Sequence, residues 1–282
     1  MYKRQIKQYC EQNNKQIYDY VYETEGEEIK NFLGEIWEAM KESICFGLNA
    51  EGIIPGKLQL SKRAKSIYNN KIENEPTEVK RTRLLTAYAY AVSETNASGG
   101  EIVTAPTCGS CGVLPATLYY LQKEDKYTDE EIINALATAG IIGNIVKTNA
   151  SISGAECGCQ AEIGTACSMA AAACSQLRKL DIYKIEHAAE IAMEHHLGLT
   201  CDPIYGYVQI PCIERNAVAA IRAIDASNIS MLLDENQKIS FDLITETMYE
   251  TGKDLRSHYR ETSTGGLAKK YCRNKYYNTD ME

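Results

Sequence analysis

The chain has 282 residues, 44% of them hydrophobic and 24% charged, with a formal net charge of −8. That size suits one large domain with a sizeable core, and the acidic balance argues against nucleic acid as the main partner. No apolar run reaches the ~18 residues of a membrane span, and the opening MYKRQIKQYCEQNNKQ lacks the apolar core of an export signal, so no membrane association and a cytoplasmic location are expected.

Residues 1–22 read as a polar, partly amphipathic helix, a surface arm packing on a neighbour. From residue 27 the pattern sharpens: Ile29, Phe32, Leu33, Ile36, Trp37, Met40 and Ile44 fall on one helical face. Residues 52–56, with Pro55 inside, break it. A short helix over 60–69 carries the solvated basic cluster Lys62, Arg63 and Lys65, and 70–76 read as a loop. Helical periodicity resumes over 77–96 and stops at the Gly99-Gly100 pair. Residues 101–103 read as briefly extended. They lead into TAPTCGSCGVLPA, a loop ending at a helix start near Gly112. Thr128 and Glu131 form a capping box for a helix over 129–146. The Ala-rich run 160–179 has side chains small enough for close helix approach, which predicts a central buried helix. Another helix covers 182–197. Pro211 suits a first helical turn, so a helix over 212–226 starts there. A last helix covers 241–256, ended by GGLA at 265–268 and followed by a polar tail, 269–282. With no strand alternation and no internal repeat, the expected fold is all-α. It is a single helical domain with an N-terminal arm (1–26), and its loop–helix junctions form the site.

Eleven cysteines are many for a chain without an export signal, and they read better as ligands, redox groups or core residues than as disulfides. Cys10, Cys45, Cys167 and Cys174 sit in helical patterns as small core residues. Cys157 and Cys159, two apart, point to opposite sides of an extended piece, so one of them faces a given site. Cys108 and Cys111 form a C-x-x-C, a signal for zinc, cluster or redox use. No second such pair completes a zinc site, and two small residues in a tight loop remain an equal reading. Cys159, Cys201 and Cys212 differ: each lies at a loop–helix junction with spare backbone N–H groups, which favour anionic charge. That setting suits thiolate ligands of an iron–sulfur cluster, although packing alone is also compatible with it. Three such ligands leave one iron of a four-iron cluster without a protein ligand, able to act as a Lewis acid.

The strings NASISGAECGCQAEIGTACSMAAAA, MEHHLGLTCDPIYGYVQIPCIERNAVAAI and RETSTGGLA resemble the α chain of the iron–sulfur-dependent L-serine dehydratases (L-serine ammonia-lyases), and VTAPTCGSCGVLPA resembles that family's first substrate-side loop. The likeness runs over about residues 27–272. It implies a helical catalytic domain that holds a 4Fe-4S cluster through three cysteines, at the positions of Cys159, Cys201 and Cys212. It implies dehydration of L-serine to aminoacrylate, which hydrolyses to pyruvate and ammonia, without pyridoxal phosphate. On that reading Asn149, Ser151, Ser153 and the loops bearing Thr104, Thr107 and Gly154 supply donors to the substrate. Lys147, Ser151 and Ser153 are catalytic candidates, Lys147 for charge balance or proton transfer or simply as a helix-end cap. Glu194 with His195, and Glu214 with Arg215, read as orienting neighbours. Cys108 and Cys111 stand where Asn and Ala are expected, and His196 where Asn often follows Glu-His. Cys272, in a tail whose Gly pair leaves it mobile, is a candidate resting-state ligand of the open iron. The family's second region, with a Ser-Ser-His-Thr motif, has no match here, so a separate β chain and an oligomer are expected. The rival readings are an iron–sulfur L-cysteine desulfidase and a non-enzymatic zinc or thiol redox protein.

Overall fold

A computed structural model describes residues 3–234 and 237–273, and among these the ordered elements are helices and turns, with isolated bridges pairing Ile53 with Ser61 and Cys201 with Arg260. The N-terminal arm is two helices rather than one, α1 (Lys3–Asn13) and α2 (Ile17–Glu25). Asn14 turns the chain in the left-handed region (φ 51), and the Asp19 carboxylate accepts from the Gln16 N–H at 2.9 Å to restart the helix. α3 (Glu28–Asn49) buries Trp37, Met40 and Ile44 as its periodicity predicts, while Phe32 on the same run remains 53% exposed. α4 (Ala64–Asn69) owes its N-terminus to Glu94 on α5 (Thr77–Ala97), whose buried carboxylate accepts from the Arg63 and Ala64 N–H groups at 2.7 and 3.2 Å.

A 3-10 turn, Cys108–Ser110, precedes α6 (Val113–Asp125). α7 (Asp129–Asn149) starts at the expected box: Glu131 N–H donates to Thr128 Oγ1 at 3.2 Å, and Thr128 N–H to Glu131 Oε2 at 3.0 Å. After α8 (Gly154–Cys157) comes a π-turn, Gln160–Gly164, which runs into α9 (Thr165–Leu177). Every residue of α9 is buried. Its small side chains let α6, α7, α10 (Ile182–Glu194) and α11 (Cys212–Leu232) close around it. Three of its polar side chains bond those neighbours: Ser168 donates to the Ala189 carbonyl at 2.7 Å, Cys167 to the Ala219 carbonyl at 3.3 Å, and Ser175 to Ser227 at 2.8 Å, while the buried Thr165 hydroxyl has no partner. Cys167 and Cys174 are thus core thiols, as is Cys10, whereas Cys45 is exposed.

The C-terminal part departs from the sequence reading. α12 (Phe241–Asp254) ends on its own, and the Gly265-Gly266 stretch begins a further helix, α13 (Gly266–Arg273), instead of closing the previous one. The cause is an N-terminal cap from a distant residue: Asp202 Oδ2 accepts from the Leu267 N–H at 2.5 Å. Cys272 therefore sits on a helix that packs against the 3-10 turn Ile204–Gly206, and 274–282 of the expected tail lie outside the described residues. No helix among the described residues is long and apolar enough to cross a membrane.

Candidate active site

Cys159, Cys201 and Cys212 are brought to one place from three separate segments. Cys159 stands at the start of the π-turn, Cys201 in the loop after α10, and Cys212 at the first residue of α11. All three are buried, with Cys212 the most open at 8% exposure. Gln160 pins the first segment to the second: its Nε2 donates to the Cys157 and Met248 carbonyls at 2.9 and 3.1 Å, and its Oε1 accepts from the Gly198 N–H at 2.9 Å. Cys201 is held from the other side, donating its N–H to the Tyr259 carbonyl at 2.8 Å and accepting from the Glu261 N–H at 2.7 Å. Asn216 ties the third segment in. Its Nδ2 donates to the Gly109 and Cys212 carbonyls and its Oδ1 accepts from the Gly112 N–H, each at 2.8 Å.

The thiols interact. Cys201 donates a hydrogen bond to Cys159, which outweighs burial and, with the Arg215 guanidinium nearby, holds Cys159 below the usual thiol range. The same bond, together with burial, pushes Cys201 up, and burial pushes Cys212 up to about 12. Arg215 itself is oriented by the Thr200 carbonyl (2.6 Å) and by Asp202 Oδ1 (3.7 Å). Buried soft sulfur donors beside a fixed cation form an environment that fits a thiolate-held metal group. Among the described residues, no three His, Cys, Asp or Glu side chains close to the spacing of a single-ion site. A cluster in which each iron takes one cysteine asks for a wider triangle.

Glu162, on the π-turn, adds a carboxylate to this group. Its Oε1 accepts from Thr107 Oγ1 at 2.7 Å and its Oε2 lies 3.9 Å from Cys201 Sγ. Burial pushes its carboxyl above the usual range. Two loops meet it through glycines: a Cβ on Gly154 would come within 2.5 Å of Oε2, and one on Gly109 within 3.0 Å of Oε1. A side chain at Gly154 would displace the carboxylate and one at Gly109 would crowd it, so both loops approach it through backbone.

A match to the family described as serine dehydratase alpha chain covers residues 2–268. The chain belongs to the serine dehydratase alpha chain family. It is 48% identical over 250 residues to an L-serine dehydratase of Haemophilus influenzae, which covers 86% of this chain and 54% of that one. It is 47% identical to L-serine dehydratase 2 of Escherichia coli over 251 residues (86% and 54%), and 44% identical to an L-serine dehydratase of Helicobacter pylori over 277 residues (94% and 60%). The chain thus spans little more than half the length of these relatives.

Within this family member the residues singled out by sequence are not all gathered at the thiols. Thr107 is, through Glu162, and so is Gly154. Thr104 is exposed on the loop before the Cys108 turn, and Lys147 is exposed on the last turn of α7. Asn149 lines a groove against α12 with Thr245 and Tyr249, its Nδ2 buried without a partner. Ser151 accepts from the Ser153 N–H at 3.1 Å and is hydrogen-bonded to Cys157. Cys157 itself packs on Gly252 of α12, away from Cys159. Cys111 is fully buried and Cys108 exposed; burial first, then the nearby Cys108 and Cys212 thiols, push Cys111 above the usual thiol range. Of the expected orienting residues, Arg215 reaches the site, while Glu194, His195 and Glu214 are exposed. Sequence reading passed over Glu162 and Asn216. Glu162 had a signal: it is the one charge between residues 160 and 177 of an otherwise uncharged, Ala-rich run.

Proposed function

We propose that this chain is the catalytic part of an iron–sulfur-dependent L-serine dehydratase that converts L-serine to pyruvate and ammonia in the cytoplasm. The observation that carries the reading is the convergence of Cys159, Cys201 and Cys212 from three segments onto one buried site. A 4Fe-4S cluster held by these three thiolates would supply an iron without a protein ligand, a Lewis acid for the substrate hydroxyl. The rest of the chemistry falls to the chain. Arg215 offsets part of the negative charge that thiolates concentrate there. The loops carrying Thr107 and Gly154 turn their backbone toward the same space, and N–H groups in such loops bind a carboxylate. Ser151, Ser153, Asn149, Thr104 and Lys147 stand as candidates for contact with the substrate or its protons. Cys272 on α13 stands as the candidate resting ligand.

The relatives named L-serine dehydratase support the substrate, and their greater length supports a separate β chain that completes the enzyme as an oligomer. The test is an anaerobic assay of pyruvate release from L-serine, L-threonine and L-cysteine, with iron and sulfide supplied, in the presence and absence of the complementary chain. Pyruvate from serine, dependent on iron, is expected. Turnover of cysteine alone, with sulfide release, would replace this reading by a desulfidase.

A further inference from the structure

We propose that the Glu162 carboxylate receives the α-ammonium group of the amino-acid substrate, an assignment that rests on the function proposed above and names what selects an amino acid there. L-Serine brings three polar groups to the site: a hydroxyl, a carboxylate and an ammonium. The first two have acceptor-rich chemistry and need a Lewis acid and N–H donors. The ammonium needs an anionic acceptor, and a buried one binds it best.

The candidates for that acceptor are few. Among the described residues, the carboxylates beside the three thiols include Glu162, Asp202 and Glu261, and Glu261, whose N–H donates to the Cys201 carbonyl, is exposed to water and so offers a weaker, screened anion. Asp202 is fully engaged: it accepts from the Leu267 N–H at 2.5 Å and from Thr200 Oγ1 at 3.2 Å, and faces Arg215 at 3.7 Å. Glu162 has one protein hydroxyl on Oε1, from Thr107 at 2.7 Å, and for Oε2 only the Cys201 thiol at 3.9 Å. Arg215, the cation near it, divides its guanidinium among the Thr200 carbonyl, Asp202 and the Cys159 thiol. A thiol that becomes a metal ligand gives up its proton. Oε2 then has no donor from the protein in a setting made more anionic. A substrate ammonium supplies both the missing donor and the missing positive charge.

The surroundings fix the carboxylate for that task. It projects from a π-turn, a backbone irregularity that recurs at functional sites. Gly154 and Gly109 close on its two oxygens without side chains, so its position is set by backbone on both faces. A molecule with the same carboxylate but no ammonium would meet an unpaired anion here, which turns Glu162 into a filter for amino acids over simple carboxylic acids.

The test uses the anaerobically reconstituted chain with its complementary chain, and the probes L-alanine and propanoate. These differ in the ammonium, and neither carries a leaving group. Glu162→Gln keeps the shape and an acceptor for Thr107. It is expected to weaken L-alanine binding, measured by calorimetry, by about 30-fold or more, a charge-assisted hydrogen bond's worth. Propanoate binding should change by less than about threefold or tighten, with iron and sulfide content unchanged. The KM for L-serine should rise in parallel. Equal losses for both probes, an unchanged affinity for L-alanine, or loss of iron from the variant would each overturn the assignment, the last by giving Glu162 to the thiols instead. Wild-type protein that loads iron yet binds no amino acid would overturn the functional reading itself, and this control separates the two failures.

Discussion

Removing the Asn216 side chain should unhinge the Cys108 turn from the start of α11. Asn216 is 1% exposed, and its amide makes 2.8 Å bonds to the Gly109 carbonyl, the Cys212 carbonyl and the Gly112 N–H. Gly112 cannot shift to find another partner, because it already lies against α5: a Cβ there would come within 2.7 Å of the Ala89 carbonyl oxygen. Asn216→Ala therefore leaves one fully buried N–H without an acceptor, at about 1–3 kcal/mol, and a partly buried carbonyl without a donor, at about 1 kcal/mol. The expected loss is about 3 kcal/mol in urea unfolding of the reduced apoprotein. Asn216→Asp keeps the acceptor for Gly112 but turns a carboxylate toward two carbonyls, and should cost at least as much. A loss below about 1 kcal/mol for the alanine variant, or an aspartate variant as stable as wild type, would refute the clamp.

Gly47→Ala should lower the thermal midpoint sharply, by about 2–3 kcal/mol of stability, because the added methyl collides with the Ala91 backbone where α3 crosses α5. Glu190, buried on α10, has its carboxyl pushed up to about 8 from its ordinary 4.5 by burial first and by its hydrogen bond to Glu194 second. An acid raised in this way contributes stability while protonated, fully below its ordinary value, and loses it as pH rises through its folded value. Glu190→Gln should accordingly flatten the decline in stability between pH 4.5 and pH 8, read from denaturation midpoints across that window. Air exposure should inactivate the reconstituted protein, and iron with a reductant should restore it. Activity that persists in air without iron would refute the open-iron account.

Local signals in the sequence translated well where the cause was local. The α7 capping box, the Gly112 helix start and the burial of the Ala-rich α9 all follow from residues within one turn of the feature. What escaped sequence reading depends on partners far along the chain. Glu94 caps α4 from 30 residues away, Asp202 caps α13 from 65 residues away, and without the latter the Gly pair read as a terminator. Asn216 looks like any polar residue on a helix until the Gly109 turn is laid against it. The three thiols were legible through their loop–helix settings and the family resemblance. Glu162 was visible only as an isolated charge, and the glycines that explain it lie in two other segments.

The central claim is that Cys159, Cys201 and Cys212 hold a cluster between them. The most direct measurement is iron and acid-labile sulfide per chain after anaerobic reconstitution of the wild type, each of the three Cys→Ala variants, and Cys10→Ala and Cys45→Ala. About four irons and four sulfides are expected in wild type and in the last two variants, and little of either when any of the three is changed. A full complement in any of the three variants, or zinc without sulfide in the wild type, would contradict the account.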